Sequence, residues 1–237
     1  MEDIAQYFDI NVTESDLNNG VVDEQGVIYS DDGNLLLGCR NPELTFYTVK
    51  NDCKIVCNEA FFRFMPSECK LERIAFHDGL MAIGHEAFNG CSHLRTVVLP
   101  DSLRFIGDLA FNSCPLDSLS IPSGMESMGS NPFGLTSMIH VESRSSHFKF
   151  IDGCLMNDDT MVAWLSDEDY CRVPKGTRKI GNMAFLSMDS CHTIQLPEGL
   201  EEIGDYVFLS ENLDKLVIPS TVKIIGKNSN LKIYENE

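Results

Sequence analysis

Ile83-Gly84-His85-Glu86-Ala87-Phe88 returns 23 residues later as Ile106-Gly107-Asp108-Leu109-Ala110-Phe111. The pattern comes back as Ile180-Gly181-Asn182-Met183-Ala184-Phe185 and, again 23 residues on, as Ile203-Gly204-Asp205-Tyr206-Val207-Phe208. Weaker copies stand at Val56-Cys57-Asn58-Glu59-Ala60-Phe61 and Met128-Gly129-Ser130-Asn131-Pro132-Phe133, and Ile225-Gly226 opens a truncated one. A second motif keeps step with the first: Leu99-Pro100-Asp101-Ser102-Leu103, Ile121-Pro122-Ser123-Gly124-Met125, Val173-Pro174-Lys175-Gly176-Thr177, Leu196-Pro197-Glu198-Gly199-Leu200 and Ile218-Pro219-Ser220-Thr221-Val222. Two independent patterns sharing one period of 22–23 residues mark a stacked repeat. Each unit then has an apolar face that only its neighbours can cover.

The residue types explain the unit. Val97-Val98-Leu99, Leu119-Ser120-Ile121, Ile194-Gln195-Leu196 and Leu216-Val217-Ile218 read as short strands whose inward residues lie two apart. Pro follows each strand, where its missing N–H ends ladder pairing and its fixed φ starts a turn. The Gly after Ile allows either a tight turn or a close approach to the neighbouring coil. The periodic Phe fills the interior, one per coil. Its regularity makes the column Phe61, Phe88, Phe111, Phe133, Phe185 and Phe208 core rather than an aromatic platform for a ligand.

A longer duplication lies over the short one. Ile10-Asn11-Val12 matches Ile139-His140-Val141, and each leads to a hairpin-like stretch, at residues 26–33 and 153–160. Regular coils resume near Val49 and Val173. The expected organisation is an N-terminal cap at 1–9, a first array with hairpin at 10–134, and a second array with hairpin at 135–237 closed by the strand Leu231-Lys232-Ile233. No Pro/Ser-rich linker divides the arrays, so one continuous solenoid is expected.

Composition limits the functions. Eighteen Lys and Arg against thirty-six Asp and Glu give a formal net charge of −18. Such a surface repels phosphate backbones and anionic headgroups, which argues against nucleic acid as a partner. No apolar run has the ~18 residues of a membrane span, so no membrane insertion is expected. Met1-Glu2-Asp3-Ile4-Ala5-Gln6 is acidic and unlike a secretory leader. Nine cysteines cannot all pair within one chain and follow no disulfide framework, so buried reduced thiols and a cytoplasmic location are expected. A cell-surface location is the alternative if a leader precedes these residues.

The Ile-Gly-x-x-Ala-Phe unit, the Cys that follows it at Cys91 and Cys114, and the Leu/Ile-Pro strand ends resemble the BspA-type leucine-rich repeat. The Gly26-Val27-Ile28-Tyr29-Ser30-Asp31-Asp32-Gly33 stretch is similar to a hairpin insert of that family. The resemblance spans residues 10–233. It implies a mainly β repeat solenoid of right-handed leucine-rich-repeat type, with short parallel strands on one face and two inserted β-hairpins. It also implies a bacterial or protist surface protein that binds other proteins. The sequence departs from commoner leucine-rich repeats in having Ser102, Gly124, Gly199 and Thr221 where an asparagine ladder is expected.

Residues suggestive of chemistry all have a structural reading. His85-Glu86 lacks the second His of a zinc-protease motif and lies inside a repeat. Cys53, Cys57, Cys69 and His77 lack the tight spacing of zinc ligands, and Cys57 fills the repeat's Gly slot. Cys191, beside His192, takes the slot of Leu94 in another coil. Asp31-Asp32 and Asp158-Asp159 are the residues a hairpin turn requires. No catalytic residue, metal or cofactor is therefore assigned. The expected binding surface is the strand face, at Val98, Ser120, His140, Tyr170, Arg172, Gln195 and Val217, because its two outward columns are nearly free of acid. The partner expected there is a protein of unknown identity, and the alternative is a spacer or cap of a larger adhesion protein with no ligand of its own.

Overall fold

A computed structural model describes residues 11–62, 69–134, 140–186, 191–208, 213 and 216–227. It is a mainly β solenoid in which each coil contributes to two parallel ladders, called here front and rear. On the front, β4 (Phe46–Thr48), β6 (Arg73–Ala75) and β8 (Thr96–Val98) pair in parallel. So do β10 (Ser118–Ile121) with β12 (His140–Ser143), and β16 (Tyr170–Arg172) with β18 (Thr193–Gln195). On the rear, β5 (Ile55–Val56), β7 (Ala82–Ile83), β9 (Phe105–Ile106) and β11 (Ser127–Met128) form one ladder. A second rear ladder is β17 (Lys179–Ile180), β19 (Glu202–Ile203) and β20 (Ile224–Ile225).

Both expected hairpins are present, and both join the rear. β2 (Val27–Tyr29) and β3 (Leu35–Cys39) carry a third antiparallel strand, β1 (Val21–Val22), and β3 continues in parallel to β5. β13 (Phe148–Ile151), β14 (Cys154–Asn157) and β15 (Thr160–Trp164) repeat this plan against β17. The second hairpin has two working faces, as strand alternation permits. Leu155, Val162 and Ala163 pack into the interior that begins at Val27, while Cys154, Met156, Met161 and Trp164 pack into the one that runs on to Leu216.

The N-terminal part of the duplication differs from expectation. Residues 11–13 form no strand, and helix α1 (Glu14–Asn19) follows them. Thr13 and Asp16 make a capping box, with the Thr13 N–H donating to Asp16 Oδ2 at 2.8 Å and the Asp16 N–H to Thr13 Oγ1 at 3.2 Å. Leu216–Ile218 is not in a ladder among the described residues. The cap at 1–9, the strand at 231–233, and Met138, Lys215 and Lys232 of the outward columns lie outside the described residues.

The Phe column is a stack. Ring centroids lie 4.9 Å apart for Phe61–Phe88, 5.0 Å for Phe88–Phe111, 5.7 Å for Phe111–Phe133 and 5.6 Å for Phe185–Phe208. The hairpin coils fill the same slot with other residues. Cys39 N–H donates to Ala60 O and Trp164 N–H to Ala184 O, as Phe88 N–H does to Ala110 O.

The Gly slot is fixed by close approach. A Cβ on Gly107 would sit 2.5 Å from His85 N and 2.6 Å from Gly84 C. On Gly129 it would meet Asp108 Oδ1 and N at 2.2 and 2.4 Å. None of these repeat glycines has a positive φ; that conformation falls two residues later, on Glu59, Glu86, Leu109, Asn131, Met183 and Tyr206.

Next to the Gly runs a polar ladder. His85 N–H donates to Asn58 Oδ1 (2.8 Å), Asp108 N–H to His85 Nδ1 (3.0 Å) and Ser130 N–H to Asp108 Oδ1 (2.6 Å). In the second array Asp205 N–H donates to Asn182 Oδ1 (2.9 Å) and Lys227 N–H to Asp205 Oδ1 (2.7 Å). This is the asparagine-type ladder, displaced from the Pro turn. At the Pro turn itself a lesser bridge survives where a hydroxyl is present: Ser102 Oγ accepts from Gly79 N–H and donates to Leu80 O, and Thr221 Oγ1 does the same with Gly199 and Leu200.

Candidate binding face

The outward side chains of the front strands lie in two columns set by the parallel registers. Phe46, Arg73 and Thr96 form one row of rungs, and Thr48, Ala75 and Val98 the other. Val97 points inward and is buried, while Val98 is 66% exposed. Phe46, 47% exposed, was not among the expected face residues, although its place two before Thr48 is the signal that finds it. The Arg73 guanidinium lies 5.8 Å from the Phe46 ring centroid.

The register corrects two placements. His140 pairs with Ser118, and it is Glu142 that stands beside Ser120, accepting from its Oγ at 2.9 Å. The duplication sets His140 level with Ser120, and the observed register differs from that by two residues, so the acid-poor column contains a carboxylate after all. His140 Nε2 lies 3.9 Å from Glu142 Oε2. Asn11, the counterpart of His140 in the duplication and so expected on the face, is turned elsewhere: its Oδ1 accepts from Asn58 Nδ2 at 3.2 Å, at the foot of the polar ladder.

Tyr170, Arg172 and Gln195 make one cluster. The Tyr170 hydroxyl donates to Gln195 Oε1 at 2.6 Å, Arg172 Nε donates to the same oxygen at 3.0 Å, and the guanidinium lies 5.9 Å from the Tyr170 ring centroid. Tyr170 holds the Arg172 guanidinium above its ordinary range, with Asp152 a lesser contributor. Tyr170 therefore leans toward the next coil rather than back onto the hairpin. Val217 is exposed, as expected of an outward position.

Residues suggestive of chemistry go into structure. His85 is a rung of the polar ladder. Cys53 Sγ donates to Ile55 O at 3.3 Å, Cys191 Sγ to Thr193 O at 3.4 Å, and Cys69 Sγ lies 3.2 Å from Cys91 Sγ. Cys57 takes the Gly slot where the preceding coil is the hairpin, and its N–H donates to Leu36 O as the Gly84 N–H does to Val56 O. The Asp32 carboxylate closes its own turn, accepting from Ser30 Oγ, Asn34 N–H and Asn34 Nδ2.

The profile of the BspA type leucine rich repeat region matches in six copies over residues 63–161 and 167–233. The chain belongs to this family. Parallel pairing of β3 with β5 and of β5 with β7 continues the solenoid ahead of the matched region. Three similar solved structures are of bacterial proteins. A leucine-rich repeat protein of Eubacterium ventriosum superposes with a TM-score of 0.62 at 15% identity, covering 87% of this chain and 65% of its own. The pneumococcal vaccine antigen PcpA gives 0.61 at 22% identity, covering 84% of this chain and 61% of its own. A leucine-rich repeat protein of Bacteroides ovatus gives 0.53 at 20% identity, covering 90% and 60%. The chain thus spans under two thirds of the length of these three proteins. No curated protein matches it.

Proposed function

We propose that this chain is a non-catalytic protein-binding module that presents its front ladder to a partner. One observation carries the reading. Glu142 is the single carboxylate among the outward positions of the seven front strands, in a chain with thirty-six Asp and Glu. The same surface exposes Phe46, Val98 and Tyr170. Large aromatic residues and Arg are the types that anchor protein interfaces, and acids are depleted there. A stacked ladder holds them in place before binding, so little ordering entropy is lost.

A reducing compartment fits the nine buried free thiols, and no helix among the described residues is long and apolar enough to cross a membrane. Display at a cell surface, as part of a longer protein, is the second location to test. The deciding experiment compares partner capture by the parent chain with capture by Val98→Glu and Arg172→Glu, each checked for an unchanged melting curve. Loss of the captured partner in both supports the face. Full retention, with loss instead on altering Asp31 or Asp158, moves recognition to the hairpin turns. Capture of nothing by the parent chain leaves the spacer reading.

A further inference from the structure

The front ladder is interrupted twice: between β8 and β10, where Asp117 N–H still donates to Arg95 O at 3.0 Å, and between β12 and β16. β12 pairs with β10 and β16 with β18, and no ladder joins β12 to β16 among the described residues. The bonds that are made show which backbone groups are left over. Arg144 N–H donates to Ile121 O at 2.9 Å, so the even-numbered residues of β12 turn their amides to β10. Val141 and Ser143 then turn theirs to the other side, since the N–H and C=O of one strand residue point the same way. Likewise Val173 N–H donates to Gln195 O and Thr193 N–H to Asp169 O, so Tyr170 and Arg172 turn their backbone groups away from β18. Two open strand edges therefore belong to successive coils of the same face.

A cleft of about 340 Å³ lies at this break. Val141 of β12, Phe150 and Leu165 give it an apolar lining. Asp167 and Glu168, both exposed on the approach to β16, give it an acidic rim, and the Asp152 charge is close enough to act on Arg172. An open strand edge, an apolar floor for alternate side chains and a charged rim are together what strand addition needs: main-chain bonds supply affinity and the pockets supply selection.

We propose that this cleft receives an extended basic segment of a partner protein, which adds a strand to the open edge of β12 and sets a Lys or Arg against Asp167 and Glu168. The proposal rests on the front ladder being the recognition face, and it names the class of partner. The acidic rim selects the cationic side chain. Val141 and Ser143 supply the backbone rungs, and the Val141–Phe150–Leu165 floor takes an apolar side chain between two cationic ones.

The probe is a fluorescein-labelled nine-residue peptide alternating Lys with Val and Thr, titrated by fluorescence polarisation against the whole chain. The double variant Asp167→Lys/Glu168→Lys changes only exposed positions, and its melting curve is checked first. Binding by the parent chain with a loss of about 10-fold or more in the double variant is expected, the size of effect that reversing charges beside a bound cation gives. The same peptide N-methylated on alternate residues keeps its charge and loses one row of main-chain bonds, and is expected to bind about 10-fold more weakly. Bound peptide is expected to slow amide exchange at Val141 and Ser143. Glu24→Lys reverses an exposed carboxylate outside the cleft's lining and should leave the peptide's affinity unchanged. No binding by the parent chain, equal binding by the double variant, or equal binding of the N-methylated peptide overturns the proposal. The partner-capture comparison with Val98→Glu and Arg172→Glu stands apart from these results, so failure of the cleft and failure of the face are told apart.

Discussion

The backbone N–H of Asp108 is satisfied by the imidazole of His85 in the preceding coil, Nδ1 to N at 3.0 Å. In that bond Nδ1 offers its lone pair to the amide, and Asp108 Oδ2 lies 3.4 Å from the same nitrogen. A residue resembling half of a metalloprotease motif is thus a rung between coils. His85→Ala leaves the amide without its acceptor and should cost about 1–2 kcal/mol, the usual penalty for an unmade bond at a partly buried site. Asn fills the same slot at Asn58 and Asn182, so His85→Asn should recover most of that loss. Urea unfolding of the two variants decides it. Equal destabilisation by Ala and Asn would show that the ring's packing against Phe105, not the rung, is what matters.

The repeat glycines should not be equivalent. A Cβ on Gly107 runs into the backbone of the preceding coil at 2.5–2.6 Å, and backbone cannot rotate aside. Gly181 follows the hairpin strand β15 instead of a regular coil, and its nearest obstacle is one oxygen, Met161 O, at 3.1 Å. Gly107→Ala should therefore cost about 3 kcal/mol, the upper end of ordinary overpacking. Gly181→Ala should stay within about 1 kcal/mol of the parent, since Ala also restrains the unfolded chain. Paired melting curves test the contrast, and similar losses at both sites would refute it.

Phe111 sits in the stack between Phe88 and Phe133 with no exposed surface. Phe111→Ala should cost about 3–5 kcal/mol through the lost transfer term and the cavity left behind. Against a total stability of typically ~5–15 kcal/mol, partial unfolding near 37 °C is the expected outcome. A melting curve like that of the parent would place Phe111 outside the core.

The repeat, the two hairpins and the Phe column could be read from the sequence because each repeats one residue type at one spacing. The polar ladder could not, since Asn58, His85, Asp108, Asn182 and Asp205 differ in type and share only an acceptor atom. Their common position directly after the Gly slot is the signal that would have found it. The left-handed position was hidden for the opposite reason. Glu86, Leu109 and Met183 are residues that seldom adopt φ near +50°, and Gly stands at none of the six sites. The bonds this conformation aims at the next coil, such as Glu86 N–H to Asp108 O at 2.9 Å, hold it there. The duplication sets His140 level with Ser120, while the ladder pairs it with Ser118. A two-residue shift keeps the same side chains outward and changes only which residue is the neighbour, and no composition argument detects it.

The first hairpin should carry an acid-sensitive part of the stability. Hydrogen bonds from Ser30, first of all, and from Asn34 hold the Asp32 carboxyl at about 2, below its ordinary value of 3.8. A depressed carboxyl stabilises the folded chain fully above its unfolded value of about 4 and loses that contribution as pH falls through the folded one. Asp32→Asn removes the titration. The gap in urea midpoint between parent and variant should therefore be widest at pH 5 and above, and should narrow toward pH 2. A constant gap across that range would mean that the Asp32 charge is not linked to folding.

The nine cysteines should be silent in the folded chain. All are buried, and burial pushes the thiols of Cys39 and Cys53 up to about 11. Attack by a thiol requires its thiolate and an open approach, and both are withheld here. Cys69 and Cys91 occupy neighbouring coils with their sulfurs 3.2 Å apart, each shielding the other within the apolar interior. Titration with an aromatic disulfide reagent near pH 8 should find few reactive thiols in the native chain and close to all nine after unfolding without reductant. The contrast measures the closed interior directly, because a reagent reaches these sulfurs only when the coils separate. Several rapidly reacting thiols in the native chain would contradict the packing between coils. Disulfides found by mass spectrometry in protein isolated from its source would contradict the reducing compartment and favour display at the cell surface.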